Sequence, residues 1–184
     1  MRKVIATINM TLDGFCDHTL AVADDELHEH FNDVLKQSGI LLYGRKTYQL
    51  MEDTWPAIVK EPTGNPATDE FAVLIDSVPK LVFSRTLKRL EWRLSTLATR
   101  SLEDEVAELK KQEGKPVLVG SPSLFAALTQ LKLIDEYQLC IHPVIAGSGL
   151  ILFRNITDKT LLRLLKTKTF RSGTLVVYYE PIWK

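Results

Sequence analysis

Three short, nearly unbroken apolar runs, Ile40–Tyr43, Lys80–Phe83 and Pro116–Val119, each stop at a glycine or serine: Gly44, Ser84 and Gly120. Runs of this length without two-residue alternation mark strands buried on both faces, which occur where helices cover both sides of a parallel sheet. The sequence between them supplies such helices. Asp24–Gln37 carries Leu27, Phe31, Val34 and Leu35 on one face, with Gly39 as its stop. A short helix follows over Lys46–Glu52. Ser101-Leu-Glu-Asp104 opens another with a capping-box pattern, which Gly114 should end. Ser121-Pro122 offers an N-cap and a first-turn proline to a helix whose Leu124, Leu128 and Leu131 share a face.

The ends of the chain read differently. Val4–Met10 is a strand running into an Asp13-Gly14 turn. Beyond Leu133 the chain turns to β: Tyr137–Val144, Leu161–Phe170 and Thr174–Glu180, the last two joined near Ser172-Gly173 as a hairpin. Thr54–Asp69, with three prolines and Gly64, reads as a long loop. The expectation is one α/β domain over residues 1–184, three-layered α-β-α. Its mixed, mostly parallel central sheet ends in antiparallel C-terminal strands.

Composition narrows the function. Lys plus Arg and Asp plus Glu both number 23, so no overall basic field favours nucleic acid. The densest basic stretch, Arg85 to Arg93, is broken by Leu87, Leu90 and Trp92. No apolar run approaches the roughly 20 residues of a membrane span, and the N-terminus lacks a secretory pattern. With only Cys16 and Cys140, a disulfide framework is excluded and a reducing, cytoplasmic setting is expected.

The chemistry should sit where strands pass into helices. In Tyr43-Gly44-Arg45-Lys46-Thr47-Tyr48 two cations and a hydroxyl open a helix. Free N–H groups and the dipole make that end a phosphate site, whereas cations there oppose the dipole unless an anion joins them. The pattern equally fits a solvated turn. Phe83-Ser84-Arg85-Thr86 could hold a ribose 2′-phosphate, or be a surface turn. In Val119-Gly120-Ser121-Pro122-Ser123-Leu124 a glycine lets backbone approach a ligand at a helix start, although an ordinary capped loop explains it too. Together the three suggest an extended anionic ligand, such as a nucleotide, across the strand ends. Neither G-x-G-x-x-G nor a Walker A motif is present.

The order and spacing of these motifs carry a resemblance. Met10-Thr-Leu-Asp-Gly14, the three junctions, Leu133-Ile-Asp-Glu-Tyr137 and His142-Pro-Val-Ile-Ala-Gly-Ser-Gly149 followed by Leu152-Phe153 resemble the dihydrofolate-reductase-like fold. Within it the chain is most similar to the reductase domain of riboflavin biosynthesis and its stand-alone relatives, over nearly its whole length. The resemblance implies an NADPH-dependent reductase of a small heterocyclic, carbonyl or imine substrate, acting as a homodimer. It implies that Gly44, Arg45, Lys46 and Thr47 meet cofactor phosphates, and that Ser84 and Arg85 meet the 2′-phosphate. Gly120, Ser121, Ser123 and Leu124 would follow the pyrophosphate. Ala6, Leu12, Asp13 and Gly14 would lie near the nicotinamide. Two departures stand out: Ser121 replaces the second of two glycines, and no acidic residue falls cleanly where folate reductases place theirs. Asp13 and Asp25 are the candidate catalytic residues, with the proton coming from water or from a carboxylate near Asp25; Asp24, Asp25 and Glu26 equally fit acids that only favour the helix dipole. A nucleotide-binding protein without strong catalysis is the alternative.

Other residues read as structural. His28 and His30 point apart on a helix and should not share a metal. His142 is expected to be a hydrogen-bonded buried histidine, although it could reach a site or an interface. Cys16 and Cys140 fit small buried hydrophobes. Trp55-Pro56 either walls the substrate pocket or anchors a loop.

Overall fold

The computed structural model describes residues 1–21 and 24–183. Eight strands form one sheet in the order β4-β3-β2-β5-β1-β6-β8-β7. They are β1 (Val4–Thr11), β2 (Ile40–Gly44), β3 (Lys80–Phe83), β4 (Ser95–Leu97), β5 (Val117–Val119), β6 (Glu136–His142), β7 (Leu161–Thr169) and β8 (Leu175–Ile182). The first six pair in parallel, whereas β8 pairs antiparallel with both β6 and β7. The apolar runs are indeed the central strands, and the β-rich tail is the antiparallel edge.

Five helices cover the sheet: α1 (Asp25–Lys36), α2 (Arg45–Lys60), α3 (Pro66–Ser77), α4 (Leu102–Lys111) and α5 (Pro122–Gln130). Alternate strand residues sort them into two layers. Val4, Ala6 and Ile8 pack with Val106 and Leu109 of α4 and with Leu124, Phe125 and Leu128 of α5. On the opposite face Leu41, Tyr43, Val82 and Leu118 pack with Leu35 of α1, Tyr48 of α2 and Ile75 of α3. Leu27 and Phe31 extend that layer over Cys140, Val176 and Tyr178. The chain thus leaves β1 over one face and β5 over the other. Their carboxyl ends flank a topological switch point, where open α/β sheets bind ligands.

Several local expectations are corrected. The long loop at Thr54–Asp69 shrinks to residues 61–65, because α2 continues through Pro56 to Lys60 and α3 starts at Pro66. Asn65 caps α3 by accepting from the Thr68 N–H, and a proline at the first helical position has no N–H to lose. Gly39 does not stop α1, which ends at Lys36 with Gln37 as its cap. A Cβ at Gly39 would lie 2.7 Å from the Lys115 carbonyl oxygen, so that glycine serves a close backbone approach instead. The α4 prediction holds at its start: Ser101 accepts from the Asp104 N–H.

Two buried ionisable groups show how tightly these layers pack. Lys80, 1% exposed, donates to the carbonyls of Asp76 and Val78 at the end of α3 and lies 4.1 Å over the Trp92 ring. Burial lowers its pKa to about 8. His30 sits among the rings of Phe31, Phe170 and Tyr178, with its Nε2 unpaired among the described residues. Burial, aided by the Lys168 charge, lowers its pKa to about 4.

The unfolded chain protonates this histidine near pH 6.5, so it binds more protons than the folded chain between pH 6.5 and 4. Stability should therefore fall across that interval, by up to about 3 kcal/mol from this residue at ~1.4 kcal/mol per unit. Urea unfolding at a series of pH values checks this. His30→Phe should flatten the acid limb by that amount, and an unchanged slope would place the effect elsewhere.

Candidate functional site

At the carboxyl ends of β1, β2 and β5 lies a cleft of about 1180 Å³. Ordinary small-ligand pockets hold roughly 300–1,000 Å³, so an extended ligand suits it better. Two helix N-termini meet at one end. Gly44 precedes α2 and Ser121 precedes α5, and the two junctions touch. Ser121 Oγ accepts from the Gly44 N–H at 3.0 Å and pairs with Thr47 Oγ1 at 2.7 Å. Ser121 is therefore not the side-chain cap of its own helix that the Ser-Pro motif suggested. It ties one βα junction to the other. A Cβ on Gly44 would lie 3.0 Å from Ser123 Oγ and 3.2 Å from Ser121 Oγ, so only glycine fits without displacing them.

Arg45, Lys46, Thr47, Gly120, Ser121 and Ser123 all line this end. The Arg45 and Lys46 side chains are exposed and make no salt bridge among the described residues. Cations and helix dipoles thus share one corner, with no carboxylate paired to either cation among the described residues. Gly120 leaves open space, its nearest Cβ contact being Tyr43 Cε1 at 4.0 Å. Ser84 and Arg85 lie outside the cleft lining but beside it, since Gly44 and Phe83 are register partners in neighbouring strands. The Ser84 hydroxyl accepts from the N–H groups of Thr86 and Leu87, and Arg85 stays exposed.

The N-terminal candidates fall elsewhere than the resemblance implies. Ala6 has no exposed surface and packs into the core, and Leu124 is also buried there. Leu12 is 65% exposed and, like Asp13 and Gly14, does not line the cleft. From β1 the lining residues are instead Thr7, Ile8 and Asn9. No local signal singles them out, because which side of β1 meets the cleft depends on where α1 packs.

Neither proposed acid lies in the cleft. The Asp13 carboxylate accepts from the Thr11 hydroxyl and from the N–H groups of Gly147 and Ala146. Those bonds, led by Thr11 and Gly147, hold its pKa down to about 2, so it is a poor proton donor at neutral pH. Its visible task is to clamp the Gly147-Ser148-Gly149 turn. Asp25 turns outward at the start of α1 and accepts from the Asn65 side chain at 2.7 Å.

Beyond the phosphate-like corner the wall changes character. Phe31 and Val34 of α1, Leu50 and Met51 of α2, and Phe71 of α3 face it, all apolar. Trp55 does not line the cleft, but its ring packs 4.4 Å from Phe71 and supports that wall. Cys16 and Cys140 are buried, and desolvation pushes their thiols up to about 11 and 12, which removes them as nucleophiles. Among the described residues no group of three His, Cys, Asp or Glu side chains could hold a metal, and no helix could cross a membrane.

This geometry accords with the comparisons. Residues 2–176 match the RibD C-terminal domain family. The uncharacterized protein YyaP of Bacillus subtilis (strain 168) is 34% identical over 183 residues, which covers 97% of this chain and 95% of that protein. A putative riboflavin biosynthesis protein from Shewanella sp. PV-4 superposes with a TM-score of 0.72 at 17% identity, covering 98% of this chain and 99% of that one. A pyrimidine reductase-like protein from Corynebacterium diphtheriae gives 0.68 at 13% identity, covering 100% and 93%. At such identities the structural matches establish the fold.

Ser121→Ala would leave the buried Gly44 N–H without an acceptor. It should cost about 1–3 kcal/mol in chemical unfolding, the usual penalty for an orphaned buried donor. The neighbouring Ser123→Ala, at an exposed hydroxyl, should stay within about 0.5 kcal/mol.

Proposed function

The chain belongs to the RibD C-terminal domain family, and on that premise we propose that it is an NADPH-dependent reductase of a small heterocyclic, carbonyl or imine substrate. One observation carries the reading. The two touching helix N-termini, with Arg45 and Lys46, stand at one corner of a cleft that also has an apolar wall of Phe31, Val34, Leu50, Met51 and Phe71. A dinucleotide matches that division, with charged phosphates at one end and an uncharged ring at the other.

The residues present fit the cofactor. The N–H groups opening α2 and α5, with Lys46 and Thr47, would hold the pyrophosphate. The bare backbone at Gly120 would let it approach. Ser84 and Arg85, one strand over, would meet the 2′-phosphate, with Arg85 as a charge-assisted donor. When bound, the dinucleotide supplies the hydride, and the protein orients the ring and limits water around it. Among the described lining residues the single carboxylate is Asp17, which accepts from the Leu150 N–H at 2.6 Å. His18 lines the cleft as well; in this reading the proton comes from solvent. A positioned general acid typically adds 10²–10⁴-fold, so the enzyme would turn over slowly.

We also propose a homodimer through β7. All nine residues of this edge strand are exposed, including Leu161, Leu162, Leu164 and Leu165. An exposed apolar edge invites strand pairing. Light scattering of the purified protein should report a dimer, and Leu164→Lys should shift it toward monomer.

A thermal-shift titration tests the cofactor. A ligand at 100 times its dissociation constant adds about 2.7 kcal/mol, which is roughly 5–10 °C for a chain of this size. NADPH should exceed NADH, and Arg85→Ala should abolish the difference. Gly120→Ala should leave the unliganded melting temperature unchanged while shrinking the NADPH shift. No response to either nucleotide would reject the reading.

A further inference from the structure

Two polar side chains of β1, Thr7 and Asn9, line the cleft, and Asn9 is the one that carries an amide. Its amide is not free to rotate. Asn9 Oδ1 lies 2.9 Å from His142 Nε2, on the neighbouring strand β6. His142 is 1% exposed, and its other ring nitrogen faces Thr174 Oγ1 at 3.5 Å. Desolvation lowers the pKa of His142, partly offset by Asp24, so the ring is neutral near pH 7. A neutral imidazole has one donor and one acceptor nitrogen. Cys140 Sγ also lies 3.8 Å from Nε2. Asn9 Oδ1 can only accept, so the bond between them is made by the Nε2–H tautomer, in which Nδ1 is the acceptor. The amide is then locked with its oxygen toward His142 and its NH₂ turned away. That NH₂ group has no hydrogen-bond partner among the described residues.

We infer that Asn9 binds the reducible carbonyl or imine of an uncharged ring substrate through its amide N–H, and that His142 is the positioning residue that aims it. The substrate class follows from the surroundings. The wall formed by Phe31, Val34, Met51 and Phe71 offers apolar surface and no charge. Of the cations that line the cleft, Arg45 and Lys46 stand at the end assigned to the cofactor, and Arg154 belongs to the segment after β6, not to that wall. A phosphorylated substrate would find no counter-charge on the apolar wall. A flat, neutral ring with one acceptor atom would bury its faces and satisfy the amide. With the hydride that a bound NADPH would supply to the carbonyl carbon, leaving NADP⁺, the C=O π pair would pass to the oxygen held by Asn9 and a water proton would complete the alcohol.

This inference rests on the proposed cofactor reading for the reaction, but not for the orientation of Asn9. The test separates the two. First, ¹⁵N-imidazole NMR of the cofactor-free wild type, assigned with His142→Gln, reads the tautomer of His142. The Nε2–H form is expected. The Nδ1–H form would turn the amide oxygen into the cleft and overturn the proposal. Second, 1-indanone and indane, the same ring frame with and without a carbonyl, are titrated by protein-detected NMR with NADP⁺ present. Wild type should prefer indanone by about threefold to tenfold, the worth of one net hydrogen bond. Asn9→Leu should bind both equally while keeping the NADPH thermal shift. His142→Leu should also lose the preference, and His142→Gln, which keeps an N–H donor, should restore it. No preference in the wild type, or an undiminished one in Asn9→Leu, would overturn the assignment. Loss of the NADPH shift alone, with the tautomer and the preference intact, would reject the cofactor reading and leave Asn9 standing.

Discussion

The contact between the Gly44 N–H and the Ser121 hydroxyl sets the geometry of the whole site. It holds together two junctions that belong to different layers, since α2 lies on one face of the sheet and α5 on the other. Because β2 and β5 are hydrogen-bonded neighbours, the two helix starts rise side by side, and the bond fixes their separation. A larger residue than glycine at 44 would force them apart. Each helix alone has a modest affinity for an anion, but two aimed at one point, with two unpaired cations beside them, define a charged end to the cleft.

From that charged end the cleft is graded. Backbone donors and cations give way to Thr7 and Asn9 on the floor and then to the apolar side chains of α1, α2 and α3. Such a gradient orients an amphipathic ligand before any specific bond forms. Asp13 and Asp17 stabilise the far rim by accepting from Gly147 and Leu150, which fastens the turn after β6 to the end of β1. Of the two, Asp13 looks like a candidate acid in the sequence because it sits in the Met10–Gly14 motif. In the structure the electron pairs of both are already committed to backbone N–H groups.

The fold was legible where burial decides structure. Runs such as Ile40–Tyr43 and Val117–Val119 have few alternatives to a covered parallel sheet. The phosphate-like corner was legible for the same reason, because a strand end, a glycine and a helix start are local signals. What failed was non-local. Asn65-Pro66 starts α3 with the same signal as Ser121-Pro122, yet Pro56 and Gly64 nearby suggested a loop. Pro56 removes only one helical hydrogen bond, and packing of α2 against α3 and the sheet outweighs it. Asp25 was misplaced because its direction is set by Asn65, 40 residues away. Asn9 escaped notice because an asparagine in a strand has no motif, and its meaning comes from His142 across the sheet.

β1 lies at the centre of the sheet, bonded to β5 on one side and β6 on the other. Val4 and Ala6 fill the core beneath α4 and α5, Ile8 belongs to that core and also borders the cleft, and Thr7 and Asn9 look into the cleft from the other side of the strand. Substitutions on the two sides can accumulate independently, since they touch different layers. A change in length cannot: one residue inserted before Thr7 would send polar groups into the core and apolar ones into the cleft together. Descendants of this sequence are thus free to alter what the strand recognises, but only in a fixed reading frame of side chains.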